Sequence, residues 1–351
     1  MAVTVKDVAK HAGTSPGTVS QVLNRRNTSI RVSEATRQRV LKAVEELEYF
    51  PNAAARSLST SKTGNIGFIL SNNVTDGFAN AFFGQQLAGV EKACRDRNYG
   101  LLVSLYNLSS LDSFVFPNRF RRCSVDGLVL GGYVEAEVIR KFVGFGIPCI
   151  CIGDNTEIGE LIPTVATDLL GGLRQAAEYA VGLGHRKIGI CFEPTRRGQE
   201  IIETLQAQAK ASAVLANCEI ENIKIPNARN DCSDAKPLVE YWLSLPRNKR
   251  HSLLMGTDQT LIAALKEFGR AGVRCPQDVS LLGTCDSKLL EHSYPAISSI
   301  AMDNVALASR AAEILIRHLS GQIKKFGPEL SQNNFECRII HRESCKSVIK
   351  A

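Results

Sequence analysis

The chain reads as an α/β protein in which a small three-helix unit precedes a two-lobed core of parallel sheets, and three observations predict it. Residues 5–23 (VKDVAKHAGTSPGTVSQVL) hold two short helical patterns around one tight turn. From residue 65 onward, short apolar runs alternate with helical stretches, the rhythm of a parallel sheet covered by helices on both faces. That rhythm runs through twice, and 351 residues at 44% hydrophobic and 22% charged suffice to build two such sheets.

In the first helix Thr4 stands at the cap and Asp7 at the third helical position, while Val8, Ala9 and Ala12 recur on one face. Gly13 stops it. Ser15 caps the second helix, Pro16 fits a first turn that needs no backbone donor, and Thr18, Val19, Val22 and Leu23 supply the facing surface. A helix-turn-helix of this spacing lays its second helix in the major groove, with residues near its start at the base edges. Helical hairpins of this size also occur in proteins that never meet DNA, and charge tips the balance. Residues 1–62 carry ten Lys and Arg against five Asp and Glu, most of the formal net charge of +7, as phosphate neutralisation requires. Ser33–Leu47 forms a third helix whose Val40, Ala43, Val44 and Leu47 close over the first two, ending a headpiece of residues 1–48. Residues 49–63 hold an alanine-rich hinge helix, capped by Asn52, and a polar linker; the helix is too short to be stable without a partner.

In the core, strands are expected at Asn65–Leu70, Leu101–Tyr106, Asp126–Leu130 and Pro148–Ile152, with helices around Phe82–Asn98 and Glu135–Phe145. The second series places helices at Leu169–Gly182, Gln199–Asn217, Asp234–Leu245 and Thr260–Gly269. Its strands are Lys187–Phe192, Ile223–Ile225, Ser252–Met255 and Val279–Leu282. The core spans 64–351, with a first lobe of about 64–163 and 294–324 and a second of about 164–293 and 325–351. Parallel sheets bind ligands at the carboxyl ends of their strands, so the cleft between lobes is the natural ligand site.

No apolar run approaches the ~20 residues of a membrane span, and the N-terminus lacks a signal peptide's apolar segment. A cytoplasmic protein with no membrane partner is expected. Eleven cysteines, an odd number, lie scattered in apolar runs such as Pro148–Ile152, which suits buried reduced thiols. Cys149 and Cys151 share one strand face, but no second Cys or His pair stands at zinc spacing, so neither metal nor cofactor is expected. Walker A, strand-linked GxGxxG and GxSxG motifs are absent, and His185 reads as a turn residue before a strand rather than a general base. The chain is not expected to be an enzyme.

A helix-turn-helix, an alanine-rich hinge and a two-lobed α/β core, in that order, resemble the lactose-repressor (LacI/GalR) family of bacterial transcription regulators. The resemblance is carried by VTVKDVAKHAGTSPGTVSQVLN (3–24), TRQRVLKAVEELEYFPNAAARSL (36–58), VDGLVL (125–130), GHRKIG (184–189), TDQTLIAAL (257–265) and VRCPQDVSLLG (273–283). It implies a periplasmic-binding-protein-like core and a homodimer, or a higher oligomer, whose paired headpieces repress from a near-palindromic double-stranded DNA operator. Pro16, Gly17 and Gln21 fall at the family's base-reading positions, while Thr18, Ser20 and Asn24 contact phosphates or fix the helix and Ser15 does both. Pro16 and Gly17 have no side chain to hydrogen-bond a base, and Gln21, where arginine is common, suits adenine. Thr4, Arg25 and Arg26 are further DNA-contact candidates, the two arginines in a loop longer than the family's usual one. Leu58 matches the leucine wedged into the minor groove, Asn52 and Ala55 its supports, and Arg56 lies beside them.

For the effector the resemblance implies Asn80, Phe82, Phe83 and Asp154 in the first lobe and Asp258 in the second. Aromatics and carboxylates suit a sugar or nucleoside-like ligand. Phe82 and Phe83 also fit a core, and Asp258 can cap its helix as well as bind. The family's clamping arginine has no direct counterpart in Glu193–Gln206, where Arg196 or Arg197 stands nearest, and Asn72–Gly77 reads as an insertion beside the cleft. Three alternatives remain: a constitutive regulator without effector, a sugar-binding protein of the same core fold, and an enzyme of doubly wound fold.

Overall fold

The computed structural model describes residues 3–24, 32–50, 62–74, 76–112, 114–115, 124–153, 156–191, 196–224 and 235–349, with the side chains of 24, 156, 196, 197, 333 and 334 set aside. The chain divides into two compact units, residues 1–63 and 64–351.

The small unit holds α1 (Val5–His11), α2 (Pro16–Asn24) and α3 (Glu34–Glu46). Gly13 takes φ +61, a left-handed conformation open to glycine, and so turns the chain out of α1. Val8, Val19 and Val40, one from each helix, are fully buried against one another with Ala9, Ala12, Val22 and Ala43. The apolar spacing in the sequence is thus the spacing of this core.

The large unit begins with β1 (Asn65–Ser71), α4 (Ala81–Asp96), β2 (Gly100–Tyr106), β3 (Gly127–Gly131), α5 (Ala136–Gly144), β4 (Cys149–Ile152), α6 (Thr156–Gly159) and β5 (Thr164–Thr167). It continues through α7 (Leu169–Gly182), β6 (Lys187–Cys191), α8 (Arg196–Ala211), β7 (Glu219–Asn222), α9 (Lys236–Ser244), β8 (Leu253–Gly256), α10 (Asp258–Arg270), β9 (Ser280–Gly283) and α11 (Lys288–Glu291). Last come β10 (Ser298–Ala301), α12 (Asn304–Leu319), β11 (Gln332–Phe335) and β12 (Arg338–Ile340). The first sheet, ordered β11-β5-β4-β3-β1-β2, is parallel throughout; the second, β12-β10-β9-β8-β6-β7, is parallel except where β12 runs against β10.

The central strands β1, β3, β4, β8 and β9 are buried on both faces, which explains their apolar runs. In β4, Ile150 and Ile152 face the layer of α4 and α12, while Cys149 and Cys151 face the layer of α5. The two thiols share a face as expected. Burial drives both thiol pKa values up, that of Cys151 to about 12, so they are inert packing groups. No cluster that could hold a metal occurs among the described residues, and no helix there is long and apolar enough to cross a membrane.

Several boundaries differ from the sequence reading. The lobe division at 163/164 is corrected, because Thr164–Thr167 pairs with β4 in the first sheet. Residues 298–301, expected in the first lobe, pair with β9 in the second, and residues 332–335, expected in the second, pair with β5 in the first. The chain therefore crosses between lobes near 168, 302 and 336. These strands are short and polar enough (TVAT, SSIA, QNNF) to escape an apolar-run criterion. The strand expected at Ile223–Ile225 lies at Glu219–Asn222, with Ile223 still donating its N–H to the Ile190 carbonyl. The helix expected to reach Asn217 ends at Ala211, because the Ser212 hydroxyl accepts the N–H groups of Val214 and Leu215 and starts a separate turn.

Gly89 is where α4 and α12 pack most tightly. A methyl there would lie 2.9 Å from the Ala308 Cβ and closer still to the Val305 carbonyl oxygen. Gly89→Ala should therefore lower core stability in denaturant titration by about 1–3 kcal/mol through overpacking. Gly182→Ala, facing open space late in α7, should leave it unchanged or slightly higher.

Candidate nucleic-acid interface and effector cleft

The α2 start is built by Ser15, whose Oγ accepts the Thr18 N–H at 3.1 Å and meets the Thr18 hydroxyl at 3.0 Å. This satisfies one of the helix's free donors and fixes the chain's entry. Ser15, Pro16 and Gly17 are exposed, whereas Thr18, Ser20 and Gln21 are half-buried beside the buried Val19 and Val22. The helix thus presents its N-terminal turn outward while its other face holds the core. Such an end offers backbone N–H groups and a positive dipole to phosphate.

Thr4 caps α1 as expected, in a capping box with Asp7 at the third helical position: its N–H and its hydroxyl both donate to Asp7 Oδ2, at 2.9 and 2.7 Å. At the other end of α1, His11 Nε2 pairs with Glu46 Oε2 of α3 at 2.7 Å, with Lys42 at 3.5 Å from the same carboxylate. Arg25, Arg26, Asn52, Ala55, Arg56 and Leu58 lie outside the described residues, and Asn24 is described as helix backbone only.

In the core, every crossing between lobes follows the carboxyl end of a strand: β5, then β10, then β11. Both sheets therefore turn their carboxyl ends to the same interlobe cleft. Asn304 at the α12 start donates from Nδ2 to Gln85 Oε1 of α4 at 3.2 Å. Across the cleft, Gln259 Nε2 of α10 donates to Asp76 Oδ2 at 3.5 Å. Asp76, in the segment read as an insertion, adopts φ +60, and Gly77 after it φ +50.

Asn80 caps α4, its Oδ1 accepting the Phe82 N–H at 3.0 Å. Phe82 and Phe83 form an edge-to-face pair with centroids 5.0 Å apart; both are half-buried and neither belongs to the core clusters. The cap of α10 is Thr257, not Asp258, which corrects the sequence reading: Thr257 is extended and its Oγ1 accepts the Thr260 N–H. Asp258 is the first helical residue, 8% exposed, with Oδ1 accepting the Gln259 N–H at 2.9 Å. Asp154 lies outside the described residues; Arg196 and Arg197 open α8, described as backbone only.

Sequence reasoning missed a set of buried polar groups at this end of the sheets. Ser71 Oγ at the end of β1, Gln86 Oε1 of α4, Asn304 Oδ1 and Ser287 Oγ after β9 are buried without a hydrogen-bond partner. A buried polar group without a partner costs on the order of 1–3 kcal/mol; a fifth such atom, His251 Nδ1, precedes β8 at the other end of the second sheet. No residue type or spacing in the sequence marked them, since the lack of a partner is set by the surrounding fold. His185 is structural, its Nδ1 meeting Ser252 Oγ at 2.9 Å and its Nε2 the Lys346 carbonyl at 3.2 Å, with burial lowering its pKa.

Residues 4–52 match the model of bacterial regulatory proteins of the lacI family, and residues 177–345 that of a periplasmic binding protein-like domain. An HTH-type transcriptional repressor PurR of Photobacterium profundum is 27% identical over 333 residues, covering 93% of this chain and 96% of that protein. The HTH-type transcriptional regulator CelR of Thermobifida fusca is 28% identical over 334 residues, covering 91% and 92%. The lac repressor dimer bound to operator and the anti-inducer ONPF shares the fold at TM-score 0.78 and 20% identity, covering 98% of this chain and 99% of that one.

Asp7 is held below the usual carboxylate range by its hydrogen bonds from Thr4, and Glu46 by its hydrogen bond with His11. Stability from a lowered pKa is fully present above the unfolded value of ~4 and lost as pH falls through the folded value. A fragment of residues 1–63 should therefore melt at lower temperature below about pH 4. Glu46→Gln should be less stable at neutral pH and show a shallower acid decline, measured by circular dichroism.

Proposed function

We propose that this chain is a lacI-type bacterial regulatory protein that represses transcription in the cytoplasm by binding a near-palindromic operator as a homodimer under the control of a small polar effector. Its relatives are transcriptional regulators, not enzymes. The observation that carries this reading is the exposed N-terminal turn of α2, Ser15 to Gly17, on a unit that is basic in sequence and matches the model of bacterial regulatory proteins of the lacI family.

In this reading the α2 start enters the major groove. Gln21 contacts a base and Thr18 and Ser20 the backbone, while Pro16 and Gly17 shape a close approach rather than donate hydrogen bonds. Arg25, Arg26 and Asn24 add phosphate contacts, and Asn52, Ala55, Arg56 and Leu58 form the minor-groove hinge. The effector bridges the lobes between Asn80, Phe82 and Phe83 on one side and Asp258 on the other, with Ser71 and Gln86 among its partners. By preferring one lobe arrangement it shifts operator affinity, and coupling of ~1–3 kcal/mol suffices.

A second copy needs an apolar face, and the second lobe has one. Between α10 and α11 lies a concavity of about 570 Å³ lined by Ile262, Leu265, Leu289 and Tyr294, with Lys266, Lys288 and His292 also in its wall. Leu289 is 51% and Tyr294 93% exposed, an arrangement that favours a protein contact over water.

Operator affinity should fall steeply with salt because each neutralised phosphate releases counterions. Deleting residues 1–62 should abolish it, and unchanged affinity in fluorescence anisotropy would remove the headpiece from the mechanism. Tyr294→Asp should convert the dimer to a folded monomer in analytical ultracentrifugation and weaken operator binding; a dimer of wild-type stability would move the interface elsewhere.

A further inference from the structure

We propose that the core itself contacts DNA: the basic turn Lys324–Lys325, with Arg317 beside it, meets phosphates flanking the operator regardless of their sequence. The inference rests on reading the chain as an operator-binding protein. The turn lies at the end of the first sheet opposite the cleft. Leu315, near the end of α12, stands against Gly127 at the start of β3, where a methyl on that glycine would lie 2.9 Å from the leucine Cδ1. From α12 the chain passes the strand starts to reach β5, whose Thr164 N–H donates to Ser331 Oγ at 3.0 Å. β1 begins at this same end, with the Gly64 N–H donating to Asp126 Oδ2 at 2.9 Å and its carbonyl accepting the Gly100 N–H at 2.8 Å. In the proposed complex Leu58 occupies the minor groove, and the six residues from there to Gly64 span at most ~20 Å. β5 stands three strands from β1, roughly 15 Å along the sheet. A duplex carries a phosphate charge every ~1.7 Å of its axis, so a basic surface displaced to one side still meets the flanking backbone.

The turn differs from ordinary solvated lysines in being held on both sides. The N–H groups of Gln322 and Ile323 both donate to the Arg317 carbonyl, at 2.9 and 3.1 Å. His318 Nδ1 meets the Ile323 carbonyl at 3.0 Å, and its ring stacks on Phe326 with centroids 4.5 Å apart. Ile323 and Phe326 pack against the core cluster of the first lobe, so the two exposed lysines between them stand on a backbone already ordered. Docking them on a partner therefore costs little further backbone entropy. Lys325 approaches Glu329 at 3.5 Å, an exposed pair of the weakly stabilising kind that a phosphate displaces. Arg97, at the end of α4, is engaged instead with Glu313 of α12 at 3.5 Å and serves the packing of the two helices. An acidic protein would suit the same charges, but the short tether brings DNA to this end of the core.

The test measures binding of the full-length protein by fluorescence anisotropy over a salt series, on a selected operator alone and on the same operator extended by one helical turn of unrelated sequence on each side. The wild-type protein should gain affinity severalfold from the flanks, whatever their sequence, because phosphate contacts carry no sequence information. The double variant Lys324→Ala, Lys325→Ala should lose that gain. Its slope of log affinity against log salt on the extended DNA should flatten by about 1 to 4, since each neutralised phosphate contributes about 0.9 and a dimer carries four such lysines. Lys324→Arg with Lys325→Arg should retain both the gain and the slope, and all three proteins should melt at the same temperature. A wild-type protein indifferent to the flanks would overturn the inference, as would an alanine variant with the wild-type slope and flank gain, and either would leave the operator reading standing. Absence of operator binding by the wild-type protein would overturn both.

Discussion

Parallel strand pairing is the constraint on which the rest of the core depends. A parallel strand must be followed by a crossover, so β1 to β5 and β6 to β10 each return over the sheet face through α4, α5, α8, α9 and α10, among other connections. Each sheet thereby gains two apolar faces, filled by distinct core clusters. Because the chain changes lobes after β5, β10 and β11, the carboxyl ends of the two sheets are joined to one another. A cleft lined by loop residues follows from this polarity without any special sequence.

Three connecting segments also make the cleft a mechanical element. Near 168, Asp168 caps α7 through its bond to the Gly171 N–H, and Asp303 caps α12 through the Ala306 N–H, so two crossings are anchored to rigid helices. The third links β11 to β12 through Glu336 and Cys337, with the Cys337 thiol donating to the Asp168 carbonyl. Small rotations of the lobes therefore move whole helices rather than frayed loops, and a ligand's preference for one arrangement can be transmitted. The polar groups left unpaired at Ser71, Gln86, Ser287 and Asn304 are the energetic counterpart, since a ligand that meets them gains what the free protein lacks.

Much of this was legible in the sequence. Apolar spacing gave α1, α2 and α3, because the apolar residues recurring at helical intervals within each helix, with the chain turned at Gly13, meet in one core. The fully apolar strands β1, β3, β4, β8 and β9 were legible for the same reason that they are central, namely burial on both faces. Strands β5, β10, β11 and β7 were not, since they are short or at sheet edges where polar side chains are tolerated, and the lobe boundaries were misplaced with them. Asp258 was located in its loop, but the local competition that made Thr257 the cap depends on backbone angles no residue type dictates. Ser71, Gln86 and Ser287 were invisible because a buried unpartnered hydroxyl or amide is defined by its surroundings, not by its neighbours in sequence.

The central claim is that the exposed start of α2 reads DNA through the major groove in a two-fold arrangement. Dimethyl sulfate footprinting on an operator selected with the full-length protein tests it most directly, because the reagent reports guanine N7 in that groove. The account predicts two symmetric clusters of protected N7 atoms about one helical turn apart, lost together in a protein lacking the headpiece. Tight binding that leaves N7 methylation unchanged, or protects a single unpaired cluster, would contradict it.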